Sequence, residues 1–234
     1  MRKLADALAG YLADGYRFEK IEVSPGAERQ NLPVFLIHGW GVRAASMRAL
    51  GNALARDGMT VYNYDYPSSR CTIGEHAAIF LALYRRLRDE EHIAPKVRFV
   101  THSMGGLLLR AALAQMTEAE CRDIDAMVML GPPNRGSILA AFGANPLVRR
   151  VNASLGDMAT DENSFVNTLP PPVFLPPVGI VAGRFDGKVA LDNTSLPDGQ
   201  PFERLIVDCT HPGLRDPRHT LEPIRRFLLR KTFA

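Results

Sequence analysis

The sequence predicts an α/β fold with a mostly parallel central sheet and helices on both of its faces. Two observations support this class. Short, almost continuously apolar segments alternate with helix-like segments along most of the chain, and the length of 234 residues suits one core of ordinary size. Continuously apolar segments are typical of strands buried on both faces, as in parallel sheets. The pattern therefore indicates a doubly wound architecture, in which ligands bind beyond the carboxyl ends of the strands.

The predicted strands and helices follow one another in a regular order. An amphipathic helix opens the chain, and residues 17–23 alternate in polarity like an edge strand. Further strands are predicted at residues 34–38, 60–66, 97–102, 125–130, 177–183 and 204–209. Helices are predicted at about residues 44–57, 73–90, 105–116 and 220–231. Because the sequence contains no repeat and no shift in composition, residues 1–234 are predicted to form one domain, with a lid-like insertion at about 137–176.

Composition and charge narrow the class of protein. The net charge of +3 is small, so we expect no nucleic-acid partner. The three cysteines include no C-x-x-C pair, which predicts neither a disulfide framework nor a metal site and favours a reducing, cytoplasmic location. Asp6 and Asp14 interrupt the first apolar segment, which is therefore interpreted as a surface helix. No apolar segment reaches the roughly 20 residues of a membrane span, so we expect a soluble protein without stable membrane insertion.

The segment THSMGG, residues 101–106, connects a predicted strand to a predicted helix. A serine at so sharp a turn adopts strained backbone angles, and Gly105, two positions after Ser103, leaves room for the turn. The turn lifts the Ser103 Oγ above the sheet. The backbone N–H of Met104 then points at the oxyanion that forms when a carbonyl is attacked. The alternative interpretation of Ser103 is a helix N-cap, a position that serine often fills.

THSMGG resembles the nucleophile elbow of the α/β-hydrolases. Together with IHGWG, NYDYPSS, LGPPNRGS and DGKV, it makes the chain from about residue 33 similar to small bacterial lipase-like serine esterases. The sequence departs from the family's G-x-S-x-G pattern at Thr101, which replaces the first glycine. The resemblance implies an oxyanion loop after the first buried strand. Its donors are the backbone N–H groups of Trp40 and Met104, while His38 is expected to be structural.

A catalytic triad in this fold follows the chain order serine, acid, histidine. The acid lies after a strand, and the loop after the last-but-one predicted strand contains Asp186, with Asp192 as the second candidate. The alternative interpretation of both aspartates is an Asx turn. The histidine lies between the last strand and the last helix, where His211 stands, with His219 as its rival. We therefore expect a triad of Ser103, Asp186 and His211.

Two other interpretations compete with the triad. Gly39, Gly41 and Ala44 fit the G-x-G-x-x-A pattern of a dinucleotide-binding turn. With Asp65 at the end of the next strand, they would define a Rossmann-type oxidoreductase. That interpretation puts Trp40 where a pyrophosphate must approach, and it leaves THSMGG and the later aspartate and histidine unexplained. The other alternative is a catalytically silent hydrolase fold, against which the ordered presence of all three triad residue types argues.

The predicted function is the hydrolysis of carboxylic esters through an acyl-enzyme intermediate, without a metal or organic cofactor. Thioester hydrolysis and acyl transfer use the same triad and stay open. The expected substrate is a small-molecule or lipid ester, bound in a rather open apolar pocket under the insertion. About half of the candidate lining residues are expected only to pack the insertion onto the sheet. These candidates are Ile138, Leu139, Phe142, Leu147, Phe165 and Phe174.

Overall fold

A computed structural model describes residue 10 and residues 14–93, 95–137, 152–197 and 199–234. Within these residues seven strands form one sheet: β1 Arg17–Ile21, β2 Val34–Ile37, β3 Val61–Asp65, β4 Val97–His102, β5 Ile124–Leu130, β6 Val178–Gly183 and β7 Glu203–Val207. Their order is β1-β3-β2-β4-β5-β6-β7. Neighbouring strands are parallel except for β1, which pairs antiparallel with β3. The prediction of a mostly parallel sheet is confirmed.

Helices connect the strands and cover both faces of the sheet. In the described ranges they are α1 Arg48–Arg56, α2 Ile73–Glu90, α3 Met104–Leu113, α4 Glu118–Arg122, α5 Ala153–Asp157, α6 Phe165–Thr168 and α7 Pro217–Arg230. Short 3-10 turns lie at Ala44–Met47, Asp192–Thr194 and Pro212–Arg215. None of the helices in these ranges combines the length and the apolar character of a membrane span. The predicted N-terminal helix lies mostly outside the described residues.

Two apolar cores lie on opposite faces of the sheet. Because side chains alternate along a strand, Phe35 and Ile37 of β2 contribute to one core, while Val34 and Leu36 contribute to the other. The first core contains side chains of α2 and α3, and the second contains side chains of α1 and α7. Every residue of β2 is completely buried, which explains why this strand reads as a continuous apolar run.

The strand order leaves a crevice at the carboxyl edge of the sheet. β2 is followed along the chain by β3 on one side of it and then by β4 on the other side, so the connections after β2 and β4 diverge. Such a switch point opens a crevice beyond the strand ends of a parallel sheet. The segments that follow these two strands begin at His38 and Ser103, and both residues therefore lie at the crevice.

Candidate active site

Ser103 lies between β4 and α3 in a backbone conformation that few residues other than glycine adopt. Its φ is +54° and its ψ is −128°. Its N–H donates to the carbonyl of Leu130 (2.9 Å), and its carbonyl accepts from the N–H of Gly106 (2.9 Å). These bonds hold the strained turn between β5 and the first turn of α3. The Ser103 side chain makes no capping hydrogen bond to α3, a helix that the structure describes in full, so the N-cap interpretation is not supported.

Two glycines after the serine let α3 begin close to the neighbouring strands. A Cβ on Gly105 would lie 2.4 Å from the carbonyl oxygen of Ile37 and 2.6 Å from that of His38, closer than such atoms can approach. A Cβ on Gly106 would lie 3.3 Å from the Oγ1 of Thr101, which is completely buried. The free space at Gly106 therefore accommodates the threonine that replaces the first glycine of the G-x-S-x-G pattern.

The segment after β2 packs directly against the serine. A Cβ on Gly39 would lie 2.8 Å from the Cβ of Ser103 and 3.1 Å from the carbonyl oxygen of His102, so only glycine allows this approach. Trp40 follows Gly39 and lines the same cleft as Ser103. Both residues expected to donate to the oxyanion therefore lie beside the serine. Trp40 is brought there by the contact between Gly39 and Ser103, and Met104 directly follows Ser103 in the sequence.

Asp65, at the end of β3, fixes the segment after β2. Its Oδ1 accepts hydrogen bonds from the Nε of Arg43 (2.8 Å) and the N–H of Ala44 (2.9 Å). Its Oδ2 accepts from the Nη2 of Arg43 (2.7 Å), and the side chain is only 4% exposed. The carboxylate is thus engaged within the protein, and Ser103 closes the space in front of Gly39. This arrangement argues against the dinucleotide interpretation, in which the aspartate binds a ribose and the glycine admits a pyrophosphate.

His38 is completely buried, and both of its ring nitrogens have backbone partners. Nδ1–H donates to the carbonyl of Gly39 (2.8 Å), and Nε2 accepts from the N–H of Tyr66 (3.4 Å). Burial lowers the pKa of His38 to about 4, so the ring is neutral at pH 7. Because neither nitrogen is free to take a proton from Ser103, the geometry agrees with the structural role expected for His38.

Asp186 and His211 form a hydrogen-bonded pair beyond the carboxyl ends of β6 and β7. Nδ1–H of His211 donates to Oδ2 of Asp186 over 2.6 Å, and the two side chains are 5% and 2% exposed. The Oδ1 of Asp186 accepts from the N–H groups of Lys188 (2.8 Å) and Val189 (3.0 Å). Since Nδ1 of His211 is bound to the carboxylate, Nε2 is the ring nitrogen left to accept a proton. His211 lines the same cleft as Ser103.

Sequence reasoning did not identify Gly131 or His102 as residues of this site. Gly131 follows β5 with a φ of +54°, and a Cβ there would lie 3.2 Å from Oδ2 of Asp186 and 3.3 Å from Nδ1 of His211. His102 donates through Nε2 to the carbonyl of His211 (3.0 Å), and burial holds its pKa well below the ordinary value. Gly131 carried a usable signal, because it directly follows an apolar strand at the edge where the predicted triad assembles. For His102 the only signal was its place before the serine.

The cleft that contains Ser103 and His211 has a free volume of about 540 Å³, part of it open to solvent. Leu155 and Met158, from the segment predicted as an insertion, form part of its wall. Two cationic residues, Lys188 and Arg215, also line it. The apolar residues of the wall are Trp40, Val42, Pro133, Leu155, Met158, Val189 and Pro212.

The rival acid and base lie elsewhere. Asp192 is exposed at the start of a 3-10 turn, and His219 is exposed in the first turn of α7. Neither residue is part of the cleft wall. The geometry therefore favours Asp186 and His211 over these two candidates.

The predicted substrate-contacting residues divide into two groups. Phe165 lies over Gly74 of α2, and Phe174 packs under the guanidinium of Arg122, 4.4 Å from the ring centroid. Both phenylalanines thus pack the insertion instead of lining the cleft. The other predicted residues lie outside the described part of the chain, namely Ile138, Leu139, Phe142 and Leu147.

The sequence from residue 34 to residue 230 matches the family model described as the alpha/beta hydrolase family. The match spans most of the chain, and the sheet order and the sharp turn at Ser103 agree with it. The chain belongs to the α/β-hydrolase family. A comparison with curated proteins found no significant match to the sequence.

Several solved hydrolases have a similar fold. Mature lipase BlEst2 from Bacillus licheniformis is 15% identical with a TM-score of 0.66, over 90% of this chain and 98% of that chain. A thermophilic esterase from Thermogutta terrifontis is 15% identical with a TM-score of 0.58, over 92% and 93% of the two chains. YbtT, a type II thioesterase from the yersiniabactin pathway, is 13% identical with a TM-score of 0.62, over 92% and 99%. At these identities the similarity concerns the fold alone.

Proposed function

We propose that this chain is a serine hydrolase that cleaves carboxylic esters through a Ser103-His211-Asp186 triad. The observation that carries the proposal is the 2.6 Å hydrogen bond between His211 and Asp186 in the cleft that Ser103 lines. Chain order and strand ends selected the same three residues, which lie far apart in the sequence. Membership of the α/β-hydrolase family supports hydrolysis as the reaction class.

The proposed reaction proceeds in two steps. Nε2 of His211 takes the hydroxyl proton of Ser103 as Oγ bonds to the ester carbonyl carbon, and Asp186 stabilises the imidazolium. The N–H groups of Trp40 and Met104 stabilise the oxyanion of the tetrahedral intermediate. His211 then gives its proton to the leaving alcohol as the carbon–oxygen bond breaks, which leaves an acyl-enzyme. In the second step water attacks the acyl carbon, His211 takes the water proton and returns it to Ser103, and the acid leaves.

The wall of the cleft supports a small-molecule or lipid ester as the substrate class. Its apolar side chains can bury an acyl chain, with about 0.8 kcal/mol gained for each buried methylene. Hydrolysis of thioesters and transfer to another alcohol need the same nucleophile and base. The fold shared with a type II thioesterase keeps the thioester reaction as the second candidate.

The proposal is tested by the kinetics of four variants on a short nitrophenyl ester. Ser103→Ala, His211→Ala and Asp186→Asn should each lower kcat by about three orders of magnitude or more, because each removes a member of one catalytic unit. His219→Ala is the matched control and should keep wild-type turnover, since His219 is exposed and outside the cleft wall. Loss of activity in His219→Ala with retention in His211→Ala would reverse the assignment of the base.

A further inference from the structure

Arg215 brings a positive charge to the wall of the proposed active site. It ends the 3-10 turn that begins just after His211, and it lines the same cleft as His211 and Ser103. The residue is half-buried, and its Nε is buried without a hydrogen-bond partner among the described residues. When Nε of a guanidinium is withdrawn from water without a partner, it loses its hydrogen bond to water and forms no other hydrogen bond in its place.

The charge of Arg215 is not neutralised by its surroundings. Burial lowers the pKa of Arg215, and no carboxylate pairs with it among the residues that the structure describes. The adjacent Asp216 is already engaged by Arg218, which donates to it from the backbone N–H, Nε and Nη2. Burial is the main cause of the lowered pKa of His102, and the positive charge of Arg215 contributes to it.

Among the described residues, the rest of the cleft wall adds a second cation. Lys188 lines the wall, and the described lining residues include no aspartate or glutamate. Asp186 lies behind His211 with its side chain 2% exposed. The cleft is therefore electropositive beside an apolar wall.

We propose that Arg215 is a specificity-determining residue that binds a second, negatively charged group of the substrate. The substrate class is then an ester that carries a carboxylate or a similar anion close to the scissile bond. A guanidinium binds such a group through two parallel, charge-assisted hydrogen bonds, which offset the hydration that Arg215 loses in the cleft. The proposal rests on the ester hydrolysis proposed above and adds the charge of the substrate to it.

Pairs of esters that differ in one charge test this role. The first pair places the charge on the acyl side: the nitrophenyl hemiester of glutaric acid against nitrophenyl pentanoate, with the same acyl chain length. The second pair places it on the alcohol side: 4-acetoxybenzoate against its methyl ester. The quantity measured is the ratio of kcat/KM for the anionic ester to kcat/KM for the neutral one. The pair that responds identifies the side of the substrate that Arg215 contacts.

For at least one pair, Arg215→Gln should lower this ratio about 10- to 100-fold relative to the wild type. Arg215→Lys should recover part of the loss, because it keeps the charge without the bidentate geometry. Arg218→Gln is the matched control: Arg218 is exposed, pairs with Asp216 and lies outside the cleft wall, so the ratio should not change. If Arg215→Gln leaves both ratios at their wild-type values, Arg215 does not bind the substrate and the proposal fails.

A binding measurement separates this proposal from the proposed function. Trp40 is the only tryptophan and lines the cleft, so its fluorescence reports on ligands bound there. Glutarate should bind saturably to Ser103→Ala protein, with a Kd at least about tenfold lower than in the Ser103→Ala, Arg215→Gln double variant. If binding depends on Arg215 while hydrolysis does not depend on Ser103, only the proposed function fails. If hydrolysis depends on Ser103 while glutarate binding and both kcat/KM ratios are independent of Arg215, only the role of Arg215 fails.

Discussion

Ser103 and Gly131 have the same φ of +54° at the ends of the neighbouring strands β4 and β5. For serine such a conformation costs about 1–3 kcal/mol, whereas glycine adopts it without a steric penalty. The two residues have different roles at this edge of the sheet. Ser103 accepts the strain and thereby presents its Oγ at the edge of the sheet. Gly131 has no side chain, which leaves the space that Asp186 and His211 occupy.

Gly131→Ala should impair catalysis although it replaces no member of the proposed triad. The added Cβ would lie 2.7 Å from Cδ1 of Leu214, 3.2 Å from Oδ2 of Asp186 and 3.3 Å from Nδ1 of His211, so the Leu214 side chain must shift and the hydrogen-bonded pair must move by a few tenths of an ångström. We expect kcat for ester hydrolysis to fall about 10- to 100-fold, because small displacements of catalytic groups have effects of this size. Gly187→Ala is the control, since nothing lies within 4 Å of the position of its Cβ. Equal activity of the two variants would contradict the placement of Gly131 beneath the pair.

The loop after β2 is the element whose shape depends most on distant residues. Its contact with Ser103 requires Gly39, and its far end is held by Asp65 through Arg43 and Ala44. In the sequence, these residues form a glycine-rich motif followed by an aspartate. This pattern fits both the oxyanion loop of an α/β-hydrolase and a dinucleotide-binding turn. The contacts of Asp65 resolve the ambiguity, because its carboxylate faces the protein.

Asp65→Asn should loosen this loop. Asparagine loses the charge-assisted pairing with Arg43, so we expect the free energy of unfolding to fall by about 1–3 kcal/mol. Turnover should also fall, since the loop carries the N–H of Trp40. Asp208→Asn removes another arginine partner, Arg184, in a pair whose side chains are 55% and 71% exposed, and should cost less than about 1 kcal/mol. Urea denaturation of both variants measures the difference, and equal losses would contradict the structural role of Asp65.

The strands could be predicted from the sequence, whereas the short helices and the role of Gly131 could not. Strand β2 is buried throughout, so its apolar run was visible in the sequence. α4, α5 and α6 have only 4 or 5 residues each, too few for a periodic apolar pattern. The members of the proposed triad, Ser103, Asp186 and His211, could be selected as candidates because each follows a strand. The role of Gly131 depends on its lack of a side chain, so it could not be recognised before the positions of Asp186 and His211 were known.

At the scale of the whole molecule, an apolar core covers each face of the sheet. Two histidines, His38 and His76, are completely buried near the carboxyl edge of the sheet. Burial lowers the pKa of His38 and of His76 to about 4. In the unfolded chain each imidazole binds a proton below about pH 6.5. Between these two values the unfolded state therefore holds more protons than the folded state. Folding stability consequently falls as the pH decreases through this window.

The free energy of unfolding should decrease as the pH falls from about 6.5 to about 4, by up to about 3 kcal/mol for each of these two histidines. His76→Gln removes one titrating group, so the variant should lose less stability over this range than the wild type. His219→Gln, at an exposed position, should follow the wild-type curve. Denaturation midpoints at several pH values provide the measurement. Parallel curves for the wild type and His76→Gln would contradict the assigned proton linkage.

Labelling with a fluorophosphonate probe, followed by mass mapping of the modified peptide, tests the proposed triad most directly. The probe reacts with a serine whose hydroxyl is activated by a neighbouring base. We predict a single adduct on Ser103, no adduct in Ser103→Ala and strongly slowed labelling in His211→Ala, while His219→Ala labels at the wild-type rate. An adduct on a different residue, or labelling that persists in Ser103→Ala, would contradict the assignment of Ser103 as the nucleophile.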